Sequence, residues 1–181
     1  MVHRSSLYNN NLLCYNLFIR KEVIYVAKIG TNDTIQQINY DICISQAKLY
    51  EYVANKGYDI LDFSNKYLQS KFCNTNFDSR WSLYHSASPI ETTYEIFQEI
   101  NVKKYEDGKV FNPDIAWWIG FTYRQLQIET EKHSKELQSE ISFEELVNCY
   151  PGLHTVDEEY ATDMICKHHN LTKIPSQEVN I

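Results

Sequence analysis

The segment 112–128, NPDIAWWIGFTYRQLQI, decides the fold class because it combines a helix start with an apolar pattern of helical period. Asn112 is a favourable N-cap residue, and Pro113 suits the first helical position. The apolar stripe and its flank comprise Ile115, Trp117, Trp118, Ile119, Phe121, Thr122, Leu126 and Ile128. A helix that is apolar nearly all round is usually buried. The segment therefore predicts the central helix of an all-α domain.

Helix-start signals of the same kind recur on both sides of this segment. Ser88-Pro89-Ile90-Glu91 joins a capping box to a proline and predicts a helix with an inner face of Ile90, Tyr94, Phe97 and Ile100. Two further boxes have their first residues at Ser142 and Thr155. Three boxes that each precede a periodic run support one another, and they favour helix throughout.

Further cap, stop and turn residues predict the other helices. An Asn32 or Asp33 cap and a Gly57 stop bound a first helix, and Asp59 caps a second. A short helix is predicted near Ser134–Glu140, and Tyr150-Pro151-Gly152 predicts a turn. We therefore predict a single compact all-α domain of about five to seven helices, with one long ordered loop near 73–88.

The ends of the chain differ in character from this domain. Lys21-Glu22-Val23 can be encoded as a bacterial ribosome-binding site, and Val26 as a GTG start codon. We therefore expect residues 1–25 to be a non-native leader or a disordered extension, 26–170 the helical domain and 171–181 a tail. Leaving out the leader's Arg4, Arg20, Lys21 and Glu22 changes the formal charge from −7 to −9.

Charge and composition exclude several classes of function. A net charge of −7 without a basic run argues against an unaided nucleic-acid binder. No apolar run is long enough to span a bilayer, so no membrane association is expected. The five scattered cysteines, without a C-x-x-C pair, fit free thiols and a cytoplasmic location. Nucleotide-loop and hydrolase motifs are absent from the sequence, and no cofactor is expected.

The predicted loop holds a cluster of polar and aromatic residues: Asp78, Arg80, Trp81, Tyr84 and His85. Ordered loops of this length often carry binding sites. A carboxylate beside an arginine can also form a salt bridge that fastens the loop to the domain, and this second role is the more common one.

Tyr123 and Arg124 follow the apolar core of the central helix. An arginine there either pairs with a buried acid or points into a pocket to receive an anion. The excess of acidic residues favours pairing.

The C-terminal region offers two weaker candidates. Cys166 and His169 lie one helical turn apart and could ligate a metal ion, but no regular spacing supplies the other ligands. The absence of a metal is therefore the main prediction. The predicted turn from Tyr150 to Thr155 could hold an anion at a helix N-terminus, but Asp157, Glu158 and Glu159 already occupy that positive field.

Four strings carry a family resemblance: Tyr58-Asp-Ile-Leu-Asp-Phe-Ser, Phe77-Asp-Ser-Arg80, Trp118-Ile-Gly-Phe-Thr-Tyr-Arg124 and the stretch from Tyr150 to Glu159. Over residues 30–170 the chain resembles a family of bacterial proteins of similar length without an assigned activity. The resemblance implies a gene context of ADP-ribosyltransferase-like toxins. It assigns no catalytic residue. The motif positions are candidates for a shared surface or a shared structural lock: Asp78, Arg80, Tyr123, Arg124, Tyr150, Gly152, His154 and Thr155.

Three functions remain open from the sequence. The first is a non-catalytic helical interaction protein with a protein partner, such as the toxin of a bacterial toxin–antitoxin or defence cassette. The second is a small enzyme or ligand-binding protein that uses the 73–88 loop with Tyr123 and Arg124. The third is a DNA-binding regulator built on the helices near 134–149 and 155–170, although acidic residues there repel phosphate.

Overall fold

Seven α-helices run through the part of the chain that the computed structural model describes, which is residues 32–79 and 81–174. They are α1 (Asn32–Asn55), α2 (Ile60–Gln69), α3 (Pro89–Glu99), α4 (Pro113–Thr130), α5 (Ser134–Glu140), α6 (Phe143–Leu153) and α7 (Glu158–His169). Within this range, extended pairing is confined to one isolated bridge between Tyr58 and Lys104. The all-α prediction is confirmed. The leader prediction and Arg80 lie outside the described residues.

The chain divides into two compact units. Residues 38–177 form one unit, and Met1–Gln37 with Glu178–Ile181 form the other. Of the second unit only residues 32–37 are described, and they are the first residues of α1. All contacts discussed below lie within the first unit.

Side-chain caps fix the start of four helices where the sequence predicted them. The Asp59 carboxylate accepts from the amides of Leu61 and Asp62 at the start of α2. Ser88 and Glu91 form a reciprocal capping box at α3. The Asn112 side chain caps α4, and Ser142 caps α6. Because each cap satisfies amides that the helix itself leaves unpaired, it defines the first turn.

Helix α4 is the central helix, as predicted. Its buried residues include Trp118, Ile119, Phe121 and Leu126, and α5, α6 and α7 all pack against it. Helix α1 approaches it closely at Gly120, where an added Cβ would lie 2.8 Å from the Tyr50 ring. Gly120 therefore sets the spacing between α1 and α4.

The face predicted for α3 is wrong in its first half. Ile90 and Tyr94 are 62% and 65% exposed, while Thr92, Thr93 and Ile96 are buried. The Thr93 hydroxyl donates to the Pro89 carbonyl at 2.6 Å, so this polar group is satisfied without water. A threonine bonded in this way can occupy an inner face that an apolar pattern does not reveal. Phe97 and Ile100 do pack against the core.

The predicted turn at Tyr150–Gly152 and the predicted cap at Thr155 are also wrong. Helix α6 continues through Pro151 to Leu153, and the His154 amide donates to the Tyr150 carbonyl. A proline this close to a helix end removes only one backbone hydrogen bond. Helix α7 begins at Glu158, capped by the Asp157 carboxylate, which accepts from the amides of Glu159 and Tyr160.

The segment predicted as a long loop contains two short helical turns, a π-helical turn at Cys73–Phe77 and a 3-10 turn at Leu83–His85. A further 3-10 turn spans Glu106–Gly108. The Glu99 carboxylate accepts from the amides of Lys71 and Phe72, at 2.6 and 2.9 Å. These bonds hold the start of the segment against the end of α3.

Residues after α7 are attached to the helical domain as far as they are described. The Ile174 amide donates to the Glu129 carbonyl at 2.7 Å, and Lys173 pairs with Glu129 and Asp163. The predicted tail continues into residues 175–181, which lie outside the described range.

No helix among the described residues combines the length and apolar character that crossing a membrane would require. The four cysteines in that range, Cys43, Cys73, Cys149 and Cys166, are all free thiols.

Candidate functional site

The first group of candidate residues centres on Arg124, whose side chain is completely buried. Nε and Nη2 donate to Gln46 Oε1 at 3.1 and 2.7 Å, which ties α4 to α1. Nη1 donates to the Phe77 carbonyl at 2.7 Å, to Asp78 Oδ1 at 3.0 Å and to Gln127 Oε1 at 2.9 Å. The guanidinium also lies over the Phe77 ring, 5.4 Å from its centroid. Every guanidinium nitrogen therefore has an acceptor inside the protein.

Asp78 is the counterion of Arg124, and its side chain is 2% exposed. Its Oδ1 also accepts a short hydrogen bond from the Ser134 hydroxyl, and its Oδ2 accepts from the Ser134 amide at 2.9 Å. That amide belongs to the first turn of α5 and has no partner within the helix. A single carboxylate thus joins the 73–88 segment to both α4 and α5.

Burial determines the charge state of the thiol and phenol groups next to Arg124. Burial raises the pKa of Cys73 to about 11, an effect that Arg124 partly offsets, and it raises the pKa of Tyr67 well above its usual range. Both groups are therefore neutral near pH 7, and the Asp78 carboxylate lies 3.0 Å from the guanidinium. Burial lowers the pKa of Arg124, and the Asp78 carboxylate beside it raises that pKa. Both side chains of the pair have hydrogen-bond partners inside the protein.

Tyr123 is likewise occupied inside the protein. Its hydroxyl donates to the Ile141 carbonyl at 2.7 Å. Burial raises its pKa, and the carboxylates of Glu144 and Glu145 raise it further. A cleft of about 320 Å³ adjoins this region and is lined by Asn39, Ile42, Phe77, Asp78, Ser79, Gln127, Ile128, Glu131 and His133. Tyr123 and Arg124 are not among its lining residues, so they do not present their polar atoms to a ligand there.

The second group of candidate residues forms a cleft near the N-terminal end of α4. Tyr150 stacks on His154, with ring centroids 4.3 Å apart, and meets Trp118 edge to face at 5.6 Å. The His154 Nδ1–H donates to the Tyr150 carbonyl at 2.7 Å, which fixes the imidazole against the phenol ring. This aromatic–acidic cleft encloses about 390 Å³ and is lined by Glu51, Asp114, Trp117, Trp118, Tyr150 and His154.

The chemistry of the aromatic–acidic cleft suits a cation. Neither Glu51 nor Asp114 forms a salt bridge with any described residue, so both carboxylates remain available to a ligand. Aromatic faces attract ammonium and guanidinium groups through the ring quadrupole. Carboxylates beside such faces add direct charge attraction. The cleft can therefore receive a lysine or arginine side chain.

The structure does not bring the other sequence candidates into either group. Trp81 is 52% exposed. A Cβ added at Gly152 would meet nothing within 4 Å, and Thr155 is exposed. Arg80 lies outside the described residues, so the predicted pairing of Arg80 with Asp78 stays a prediction.

The residues that could ligate a metal ion in the structure differ from the predicted pair of Cys166 and His169. Cys166 is 4% exposed, and burial raises the pKa of its thiol. His169 instead lies beside Glu145 and His168, and their ligand atoms all fall within 4.8 Å of one another. Among the described residues this is the group with metal-ligating geometry.

Several functional side chains escaped the sequence analysis. Gln46 and Ser134 hold Arg124, yet they lie 78 and 10 residues from it in the sequence. Glu51 and Asp114 were not candidates, and Trp118 was predicted only as a residue of the central helix and of a resemblance string. The cap at Asn112 could have located two of them, because it places Asp114 and Trp118 one helical turn apart.

Comparison of the chain with protein-family models, with curated proteins and with solved structures found no match.

Proposed function

We propose that this chain is a helical interaction protein that binds a partner protein through the aromatic–acidic cleft, and that the partner contributes a lysine or arginine side chain. The observation that carries the proposal is the arrangement of two carboxylates, Glu51 and Asp114, around the rings of Trp117, Trp118 and Tyr150. Neither carboxylate forms an ion pair with a residue that the structure describes. Tyrosine and tryptophan are enriched in the cores of protein interfaces.

The overall charge supports a basic partner. At −7 the chain attracts positively charged proteins over distances of about a Debye length and repels nucleic acid. The acidic cleft would then determine where such a partner binds. Long-range attraction and local contact therefore favour the same class of ligand.

The polar residues that suggested an enzyme have structural contacts instead. The polar atoms of Arg124 and Tyr123 bond to internal acceptors. A catalytic or anion-binding role would require them to face a substrate. This observation favours the interaction protein over the enzyme alternative.

A bacterial toxin–antitoxin or defence cassette is the context in which we place this interaction. Its support is the family resemblance together with the acidic cleft, because a neutralising protein must cover a surface of its toxin. The proposed partner is therefore the product of an adjacent gene with a basic surface.

Co-expression with the products of adjacent genes tests this proposal. We expect a stable complex with wild type and loss of that complex in the double variant Glu51→Gln/Asp114→Asn. Glu95→Gln, which neutralises an exposed acid on α3, serves as the control and should retain the complex. The proposal would be contradicted if the chain were purified alone from every co-expression. It would also be contradicted if Glu51→Gln/Asp114→Asn kept the complex as fully as Glu95→Gln does.

A further inference from the structure

The strongest group of ligand atoms outside the aromatic–acidic cleft lies between α6 and α7. Glu145 Oε1 is 2.8 Å from His169 Nε2 and 3.8 Å from His168 Nε2. All three ligand atoms lie within 4.8 Å of one another. We infer that Glu145, His168 and His169 form a binding site for a divalent transition-metal ion of the zinc class.

The spacing of these atoms fits a tetrahedral ion. Zn–N and Zn–O bonds of about 2.0–2.2 Å place neighbouring ligand atoms roughly 3.3 Å apart. The observed 2.8 and 3.8 Å lie on either side of that value. Rotation of the exposed His168 side chain can shorten the wider of these two distances.

The exposure of the three side chains supports the same assignment. His169 and Glu145 are 15% and 33% exposed, whereas His168 is 77% exposed. The first two are held against the protein, and the third is free to rotate onto the ion. Two imidazoles and one carboxylate form the ligand set of sites that retain an open position for water.

The helical turns that carry the site are anchored in the core. Leu146, next to Glu145, is fully buried, and Ile165 and Cys166 fix the last turn of α7 in the core. Preorganised ligands lose little freedom on binding, so two helices anchored in this way favour the ion. The bound metal would then link the first turn of α6 to the last turn of α7.

The pattern Ser142-x-x-Glu145 predicts a capping box at the start of α6. In the structure Ser142 caps the Glu145 amide, while the Glu145 carboxylate contacts His169. The carboxylate is therefore available as a ligand. Cys149, one turn further along α6, is a free thiol outside the group of three.

Isothermal titration of the metal-stripped, full-length chain with zinc chloride tests the site. We expect one ion per chain. Affinity should fall in His168→Ala by at least the roughly 10- to 100-fold that loss of an outer-shell partner costs, because a direct ligand matters more. His168 is mostly exposed, so its removal should not affect folding. His133→Ala removes another exposed histidine and should bind zinc like wild type.

Two results would overturn the inference. One is the absence of stoichiometric zinc binding by wild type. The other is wild-type affinity in His168→Ala and in Glu145→Gln. Cobalt substitution adds an independent measurement, since a thiolate-to-cobalt charge-transfer band would assign the ion to a cysteine and contradict the His–His–Glu site. Neither outcome bears on the aromatic–acidic cleft, so this inference and the proposed function can fail separately.

Discussion

Arg124 and Asp78 lie 46 residues apart in the sequence and form a 3.0 Å ion pair in which both side chains are almost completely buried. The pair also holds the first turn of α5 through Ser134. Buried charges of this kind are costly to separate, because the remaining partner stays in a medium of low dielectric constant. Loss of either partner of the Arg124–Asp78 pair should therefore destabilise the fold.

Replacement of Arg124 by methionine should lower the free energy of unfolding by about 3–5 kcal/mol, since Asp78 would remain buried and unpaired. The double variant Arg124→Met/Asp78→Asn should lose less than the sum of the two single variants. Urea unfolding measures both effects. Lys132→Met breaks the exposed pair with Glu140 and serves as the control, with little expected change. Simple additivity of the two buried substitutions would contradict the pairing.

The two glycines of α4 and α6 should respond to alanine in opposite ways. At Gly120 the new Cβ would lie 2.8 Å from the Tyr50 ring, and such overpacking costs about 1–3 kcal/mol. Gly152 has nothing within 4 Å, and alanine inside a helix gains up to about 1 kcal/mol over glycine. Thermal or urea unfolding of the two variants decides this. Equal effects at both positions would show that the packing around Gly120 is misassigned.

Glu131 ends α4 in the left-handed conformation with φ of 53°, where a side chain is strained. Glu131→Gly should raise the free energy of unfolding by about 1 kcal/mol or less, because glycine relieves that strain but has a more flexible unfolded state. Asn170→Gly, at φ of 55°, should gain less since asparagine tolerates this region. A loss of stability in Glu131→Gly would contradict the prediction.

His85 should make the protein less stable in mild acid. Burial, together with the positive charge of Arg124, lowers the pKa of its imidazole from 6.5 to about 4. Between these values the unfolded chain binds the extra proton and the folded chain does not, so stability falls as the pH drops from about 6.5 to about 4. Above pH 6.5 this residue contributes no pH dependence.

The variant His85→Asn removes this titration. The difference in the free energy of unfolding between about pH 7.5 and about pH 4.5 should be smaller in the variant than in wild type. Urea titrations at the two pH values measure it. An unchanged difference would mean that His85 protonates as readily in the folded as in the unfolded chain.

The local parts of the fold were predictable from the sequence, and the long-range parts were not. The caps at Asp59, Ser88 and Asn112 act within a few residues, so the sequence shows them directly. Apart from Gln127 on the same helix, the acceptors around Arg124 come from three separate segments, and no pattern of period 3.6 encodes them. Pro151 was misread because the cost of a proline depends on how near the helix end lies.

The aromatic–acidic cleft was likewise predictable in its local parts and not in its long-range contacts. Tyr150 and His154 were candidates from the resemblance, yet the turn predicted for them is a helical end that stacks the two rings. Glu51 comes from α1, and nothing local to it indicates a neighbouring tryptophan. Composition indicated an acidic protein rich in tyrosine, and only the packing of α1, α4 and α6 shows where those features meet.

Tryptophan fluorescence tests the central claim most directly, because two of the three tryptophans line the aromatic–acidic cleft. Trp81→Phe removes the third emitter and provides the background for titration with a short peptide rich in lysine and arginine. The same peptide with acetyl-lysine and citrulline is the neutral control. We expect saturable binding of the basic peptide that weakens with salt, and a roughly ten-fold loss of affinity, about 1.4 kcal/mol, in Glu51→Gln/Asp114→Asn but not in Glu95→Gln. Equal binding of the neutral peptide, or unchanged affinity in the cleft variant, would contradict the account.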